Sequence, residues 1–228
     1  MLIGASEIIW DLSVDTTNQA TADLRSIYDR IAPLYDLLDI PFERGRYRAI
    51  RPGVFAEVAD ARRLLDCGIG TGRNIPYYPR QVEVTGIDQC QGMLERARRR
   101  AHRQQRQVDL IEANVLDMPF DDDVFCAATA TFLFCVLPDE IQESALREIA
   151  RVVKPGGQIV LLEYQLSQRP WHSRIMKLWA PWVRFAYGAA FDQRTHEHVR
   201  KAGLIVEQRR YVHADIIVQL SITVPERS

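Results

Sequence analysis

A glycine-rich turn directly after an apolar run is the feature that most constrains this sequence. The stretch LLDCGIGTG, residues 64–72, contains Asp66 and places Gly68, Gly70 and Gly72 at every second position. Glycine allows positive φ angles and lets a ligand approach the backbone, and the N-terminus of a helix after such a turn favours negative charge. We therefore predict a strand that ends in a ligand-binding turn. The alternative is a plain tight turn.

Strand-like and helix-like segments alternate from about residue 62 onward. The apolar runs read RRLLDCG, VEVTGID, QVDLIEAN, VFCAATAT and QIVLLEY. Helices are predicted over 90–103 and 139–151, and the second is bounded by Pro138 before it and the KPGG sequence after it. Strands separated by helices form βαβ units, so this pattern predicts an α/β fold with a parallel sheet.

The C-terminal part departs from this alternation. A helix over about 193–202, capped by Gly203, precedes the β-rich runs LIVEQRRYV and IIVQLSITV, which a short turn near 213–215 joins. Such a hairpin makes the last strand antiparallel to the others. Residues 1–60 are predicted to be mainly helical and to form an N-terminal lid. Residues 61–228 would form the main domain, with an insertion at about 166–191.

Composition limits the classes of partner. The net charge of −1 and a pI near 6.5 give no reason to expect nucleic acid. The cysteines lack a C-x-x-C pair, and His196 and His198 would diverge on a helix, so no metal site is expected. The N-terminus lacks the features of a signal peptide, and the longest uncharged run, 124–138, is too short to span a bilayer. We expect a cytoplasmic protein.

The residues around the turn indicate which ligand it binds. A dinucleotide fingerprint requires glycine at position 73, where this chain has Arg73, so a nicotinamide cofactor is disfavoured. Asp66 is expected to project beside the turn and to hold an ammonium group. Asp88 ends the next strand, where a carboxylate accepts hydrogen bonds from ribose hydroxyls. Asn114 ends the third strand and is expected to face an adenine edge, with Val115 and Leu116 packed on the ring.

Taken together, LLDCGIGTG, GIDQC, ANVLDMPF and REIARVVKPGGQIVLLE resemble the successive motifs of class I S-adenosylmethionine-dependent methyltransferases over residues 62–164. The resemblance implies a Rossmann-like, doubly wound, mostly parallel seven-stranded sheet and S-adenosylmethionine as cofactor. It implies that Asp66 and the three glycines hold the methionine moiety, Asp88 the ribose, and Asn114 and Val115 the adenine. Many members carry Asp at the position of Asn114. The resemblance also implies that Met93 packs on the purine. Gln89, Leu116 and Thr131 complete the predicted cofactor site.

The stretch YDRIAPLYDLLDI, residues 28–40, resembles the opening shared by bacterial phosphatidylethanolamine N-methyltransferases and ubiquinone/menaquinone C-methyltransferases. This resemblance implies that Tyr28 and Tyr35 lie near the methionine end of the cofactor and the acceptor. We assign Tyr28 to cofactor binding and Tyr35 and Tyr164 to catalysis. The alternative is that Tyr28 and Tyr35 only pack a lid helix.

The insertion carries apolar residues at helical spacing, with polar His172, Lys177 and Arg184 between them. This stripe either packs on the sheet or forms an amphipathic lid that lines an apolar acceptor pocket or rests in a membrane interface. The apolar stripe consists of Trp171, Ile175, Leu178, Trp179, Trp182 and Phe185.

A basic stretch, RARRRAHRQQR, is either a solvated helix face or a site that attracts anionic lipid headgroups.

These features predict a methyltransferase that acts on a lipid-like or small apolar acceptor, with peripheral association at the inner membrane face. The stretch TATFLFCVLPD, followed by LLEYQ, resembles phospholipid N-methyltransferases, which makes phosphatidylethanolamine the first choice. Tyr164 replaces the histidine common in those relatives. The alternatives are C-methylation of a demethylmenaquinol- or ubiquinol-type quinone, S-methylation of a hydrophobic thiol and, in a different class, a non-catalytic cofactor-binding protein.

Overall fold

The computed structural model describes residues 47–187, 191 and 194–226. Within them lies a sheet with strands β1 (Arg63–Cys67), β2 (Glu83–Asp88), β3 (Asp109–Glu112), β4 (Phe125–Thr131), β5 (Val153–Tyr164), β6 (Ile205–His213) and β7 (Ile217–Thr223). The helices are α1 (Arg48–Glu57), α2 (Gln91–Arg103), α3 (Asp139–Val152), α4 (Pro170–Tyr187) and α5 (Thr195–Lys201). A short 3-10 turn spans Ile75–Tyr77.

The strands form one seven-stranded sheet in the order β3-β2-β1-β4-β5-β7-β6. Strands β1 to β5 pair in parallel, whereas β7 is antiparallel to both β5 and β6. The predicted α/β class and the antiparallel C-terminal hairpin are therefore confirmed. Helices α2 and α3 match their predicted ranges to within one residue at each end.

Each face of the sheet has its own apolar core, because neighbouring residues of a strand point to opposite faces. Leu65 of β1 packs in the core that includes α3 and α5, and Leu64 packs in the core that includes α1 and α2. Val54 and Phe55 of α1 are almost fully buried in that second core. The described part of the N-terminal segment therefore packs against the sheet, and the lid prediction for residues 1–46 lies outside the described residues.

The strand order reverses between β1 and β4, which places a crevice at their carboxyl ends. Strand β1 pairs with β2 on one side and with β4 on the other. In open α/β sheets, ligands bind at such a switch point. The glycine-rich turn follows β1, as predicted, and lies at this point.

Helix α4 does not bury its apolar stripe against the sheet. Trp171 is 70% exposed, Leu178 79% and Trp179 57%, and Ile175 is exposed as well. The alternative in which the stripe packs on the sheet is therefore wrong for these four side chains, and the side chains of Trp182 and Phe185 lie outside the described residues. No helix in the described part of the chain has both the length and the apolar character needed to cross a membrane.

Candidate active site

The glycine-rich turn depends on its three glycines for two different reasons. Gly68, Gly70 and Gly72 have φ angles of 67°, 54° and 77°, a region that side chains disfavour. A Cβ on Gly68 would lie 2.8 Å from Leu133 Cδ1, and a Cβ on Gly72 would lie 2.5 Å from Ile75 Cδ1. A Cβ on Gly70 would meet nothing within 4 Å. Packing thus requires Gly68 and Gly72, whereas Gly70 borders open space that a ligand can enter.

Asp88, at the end of β2, is tied to the same turn. Its Oδ2 accepts the backbone N–H of Gly70 at 2.9 Å, and its Oδ1 accepts the backbone N–H of Cys90 at 2.9 Å. These two bonds fix the carboxylate at the sheet edge, where it is half-buried. Each carboxylate oxygen has a further lone pair with which it can accept a ribose hydroxyl. Its contact with ribose remains a prediction.

Asp66 lies beneath the turn instead of beside an open cavity. The side chain is fully buried, with Oδ1 accepting from Thr129 Oγ1 at 2.9 Å and Oδ2 accepting from Asn74 Nδ2 at 2.8 Å and from the Tyr78 hydroxyl. Burial raises the pKa of Asp66, and these hydrogen bonds oppose that shift. Asp66 therefore anchors the turn, and its predicted contact with a ligand ammonium group remains a prediction.

Asn74 connects this carboxylate to helix α1 and to β4, a role that the sequence reasoning missed. Its amide nitrogen donates to Asp66 Oδ2 and, at 2.9 Å, to Thr131 Oγ1. Its amide oxygen accepts from the guanidinium of Arg51, a side chain only 4% exposed. The sequence offered one sign of this role, because Arg51 lies among the apolar residues of α1 and a buried arginine needs a partner. The network brings Thr131, a predicted cofactor residue, to the turn.

The predicted adenine-binding residues lie after β3 and at the start of α2. Asn114 Oδ1 accepts the backbone N–H of Leu116 at 3.0 Å, which closes a local turn. Met93 and Val115 are buried, while Leu116 and Gln89 are half-buried. Because Asn114 Oδ1 already accepts one bond, an adenine amine would use its second lone pair. The adenine contacts of these five residues remain predictions.

On the acceptor side, the aromatic residues Tyr47, Phe132, Tyr164 and Phe191 form a group that we call the aromatic cluster. Ring centroids lie 4.6 Å apart for Tyr47 and Phe132, 5.1 Å for Phe132 and Tyr164, and 5.6 Å for Tyr164 and Phe191. The hydroxyls of Tyr47 and Tyr164 are hydrogen-bonded. Tyr164 is thus the predicted catalytic residue that the structure describes, whereas Tyr28 and Tyr35 lie outside the described residues.

Glu163 holds the loop after β4 from within the core. Its Oε1 accepts the backbone N–H of Phe134 at 3.0 Å, and its Oε2 accepts that of Cys135 at 2.9 Å. Burial raises the pKa of Glu163 to about 8, and the two backbone donors oppose this shift. Phe132 in this loop has a φ of 59°, a strained angle for a side chain. The two bonds therefore fix the loop that presents the Phe132 ring.

The site fits the nucleoside part of S-adenosylmethionine. The backbone at Gly70 leaves open space, and the Asp88 carboxylate is fixed beside it. Asp88 and Asn114 supply the oxygen acceptors that ribose hydroxyls and an adenine amine require. Among the described residues, no group of three or more His, Cys, Asp or Glu side chains is arranged to hold a metal ion.

Comparison with known proteins agrees with this geometry. The family model described as "Methyltransferase domain" matches residues 64–157. The demethylmenaquinone methyltransferase of Lactiplantibacillus plantarum is 30% identical over 189 residues, which cover 79% of each chain. That of Deinococcus radiodurans is 36% identical over 146 residues, 62% of this chain and 60% of the relative. The phosphatidylethanolamine N-methyltransferase of Cereibacter sphaeroides is 35% identical over 104 residues, 45% of this chain and 50% of the relative.

A solved structure has the same fold over nearly its whole length. It is a SAM-dependent methyltransferase from Thermotoga maritima, titled a possible histamine N-methyltransferase, with a TM-score of 0.68 and 22% identity over 88% of this chain and 99% of that chain. The likeness at this identity concerns the fold alone. The family is shown by the Lactiplantibacillus relative, which matches 79% of each chain, and by the matched methyltransferase domain. The chain belongs to the class I S-adenosylmethionine-dependent methyltransferases.

Proposed function

We propose that this protein methylates a ring carbon of a lipid-linked quinol, the alternative that the sequence reasoning ranked second. The aromatic cluster carries the proposal. Its Phe132 and Tyr164 rings lie 5.1 Å apart and are inclined by 36°. Aromatic rings associate favourably in offset or tilted arrangements. A flat quinol ring would therefore pack against this surface, whereas an aliphatic amine would use less of it.

The turn and Asp88 would hold the methyl donor at the neighbouring strand ends. Phe132 follows β4 directly and Tyr164 ends β5, so both belong to the same edge of the sheet as Gly70 and Asp88. S-adenosylmethionine supplies an electrophilic methyl group on a sulfonium. Holding both reactants at one edge converts the transfer into an effectively unimolecular step.

The tyrosine pair would control the proton of the acceptor. A quinol ring carbon becomes more nucleophilic as its hydroxyl proton moves away, because the oxygen then donates more electron density to the ring. The methyl–carbon bond would form as the methyl–sulfur bond breaks, leaving S-adenosylhomocysteine and a dienone. The ring carbon would then give its proton to water while the oxygen takes a proton back, which restores the aromatic quinol. In this reaction Tyr164, which is hydrogen-bonded to Tyr47, would position the quinol hydroxyl and relay its proton towards water.

The names of the relatives support the same choice. Those of the Deinococcus and Lactiplantibacillus proteins refer to demethylmenaquinone, and the Lactiplantibacillus alignment covers 79% of this chain. The alignment with the phosphatidylethanolamine enzyme covers 45%. The longer alignments thus favour the quinol over phosphatidylethanolamine. Because the Deinococcus alignment spans 60% of that relative, the acceptor of this chain remains a proposal.

The amine of phosphatidylethanolamine is the second candidate. The Cereibacter relative is named for it at 35% identity, and aromatic faces attract cations. Several ring faces can also surround an ammonium group, so the alignments separate the two acceptors: they cover 79% of this chain for the Lactiplantibacillus relative and 45% for the Cereibacter relative.

The test is incubation of the purified full chain with methyl-labelled S-adenosylmethionine and each acceptor separately. One reaction contains a reduced demethylated naphthoquinone with an isoprenoid tail, and the other contains phosphatidylethanolamine micelles. We expect a labelled methyl on the quinone ring, detected by mass spectrometry. Label in the phospholipid alone would contradict the proposal and favour the second candidate. The Asp88→Ala variant, which we expect to bind the donor weakly, serves as the control.

A further inference from the structure

Helix α4 points its largest apolar side chains away from the protein. Ser173, Met176 and Ala180 are the half-buried residues of its first three turns. Trp171, Ile175 and Leu178 lie on the opposite side, because successive residues are about 100° apart around a helix. We call these three residues the outer stripe. It is exposed by 70%, 42% and 79% respectively, which is a high exposure for large apolar side chains.

The charges around the outer stripe have one sign. Between Glu163 and Asp192 the sequence contains Arg169, Arg174, Lys177 and Arg184 and no acidic residue, although the whole chain has a net charge of −1. Arg174 lies beside the outer stripe, and Lys177 lies between the stripe and the half-buried side of the helix; both side chains are exposed. Trp and basic residues around an exposed apolar stripe suit the boundary between lipid headgroups and acyl chains.

The helix is held firmly to the body of the protein at its N-terminal end. Asp215, in the turn between β6 and β7, accepts from Ser167 Oγ at 2.8 Å and from the backbone N–H of Gln168 at 2.9 Å. Gln168 Nε2 donates to the hydroxyl of Tyr211, which is 37% exposed on β6. These contacts tie the residues just before α4 to the β6–β7 hairpin, so the start of the helix has a defined place on the protein.

We propose that α4 docks the protein on an anionic lipid bilayer through the outer stripe, with Arg174 and Lys177 contacting the headgroups. The purpose of this docking rests on the proposed function, because a lipid-linked acceptor resides in the bilayer. Phe191, which follows α4 in the sequence, contacts Tyr164 of the aromatic cluster at 5.6 Å between ring centroids. The docked helix would therefore lead directly to the acceptor side of the site.

Vesicle binding tests the docking without donor or acceptor, so its failure is distinguishable from a wrong acceptor. The full chain is sedimented with vesicles of phosphatidylcholine alone or mixed with phosphatidylglycerol. We expect binding to the mixed vesicles that weakens as salt is raised. Leu178→Glu should weaken this vesicle binding about tenfold or more, since the leucine that would be buried in the bilayer is lost and a negative charge is added. Absence of binding to the mixed vesicles would overturn the proposal.

Matched variants separate α4 from other exposed residues. Ile205→Glu makes the same kind of change at a 49% exposed apolar residue on β6 and should leave binding unchanged. Each charge removed at Arg174 or Lys177 should weaken binding roughly fivefold. Removing the charges of Arg99 and Arg103 on α2, both exposed, should have little effect. Equal losses from the charge removals on α2 and α4, or from Ile205→Glu and Leu178→Glu, would contradict docking through α4.

A label at position 178 tests whether another surface already covers the stripe. A spin label on Leu178→Cys should be mobile in solution and become immobilised when mixed vesicles are added. Labelled wild-type protein corrects for Cys126, since Cys67, Cys90 and Cys135 are buried. Immobilisation without vesicles would show that residues 1–46 or a second copy cover the stripe, and would overturn the proposal. Light scattering tells these two occupants apart.

Discussion

The backbone N–H of Gly70 donates a 2.9 Å hydrogen bond to the carboxylate of Asp88. This bond joins the tip of the glycine-rich turn to the end of β2. A ligand held by one of these two residues is therefore also held beside the other.

Asp88→Ala should lower the affinity for S-adenosylhomocysteine at least about a hundredfold, because two hydrogen bonds to a charged group are lost and the turn loses its tie. Calorimetric titration measures this affinity. Asp109→Ala, at the opposite end of the parallel strands, is the matched control and should bind normally. Unchanged affinity of Asp88→Ala would refute the ribose role.

Alanine at Gly70 and at Gly72 should have different consequences. Both substitutions place a side chain at a positive φ angle, which costs about 1 kcal/mol or more. Gly72→Ala also brings its Cβ within 3.1 Å of the Ala97 backbone, so its loss of stability should be about 1–3 kcal/mol larger. Gly70→Ala should chiefly weaken donor binding, since its methyl enters open space. Urea denaturation and calorimetry separate these effects, and equal loss of stability would contradict the packing argument.

Asn74→Ala should reduce the free energy of unfolding by about 2–4 kcal/mol, because buried Arg51 and Asp66 each lose a partner. Asn114→Ala loses a single half-buried bond to Leu116 and should cost about 1 kcal/mol. Urea denaturation of both variants gives the comparison. A smaller effect at position 74 than at 114 would show that the buried network contributes little.

Glu163 should make the protein less stable as pH rises. Its pKa is about 8 when folded and near 4.5 when unfolded, so between these values the folded state binds more protons. The stability that this group contributes is fully present below about pH 4.5 and is lost as pH rises through 8. The slope contributed by this group reaches at most about 1.4 kcal/mol per pH unit.

Glu163→Gln should remove that slope when the free energy of unfolding is measured by urea at several pH values. It should also lose about 1–3 kcal/mol overall, because an amide has one oxygen for the N–H groups of Phe134 and Cys135. The same slope in the variant and the wild type would assign the pH dependence to another group.

Tyr164→Phe should lower kcat for the quinol about a hundredfold and leave donor affinity unchanged, because the ring remains and the hydroxyl is lost. Steady-state kinetics of the variant and the wild type gives kcat and the KM for the quinol separately. A change confined to the KM for the quinol would limit Tyr164 to packing.

The order of motifs predicted the sheet and assigned Gly70 and Asp88 to one cofactor site, because strand ends and glycine spacing are local properties of the sequence. The hydrogen bond between these two residues was not predicted. The contact of Arg51 with Asn74 was not predictable in this way, since it depends on how α1 packs against the turn. The sequence showed Glu163 only as part of the LLEYQ stretch. Its hydrogen bonds with the backbone of Phe134 and Cys135 depend on the path of the loop after β4 and could not be predicted from that stretch. Helical spacing revealed the stripe on α4 but not the direction that it faces.

The contact between Arg51 and Asn74 has a consequence for how such sequences diverge. Arg51 lies before the matched methyltransferase domain, and Asn74 lies inside it. A change at either position alone would leave a charged or polar group buried without the acceptor or donor it now uses. Positions 51 and 74 should therefore vary together among descendants of a common ancestor, and a chimaera that joins two relatives between them should inherit a mismatched pair.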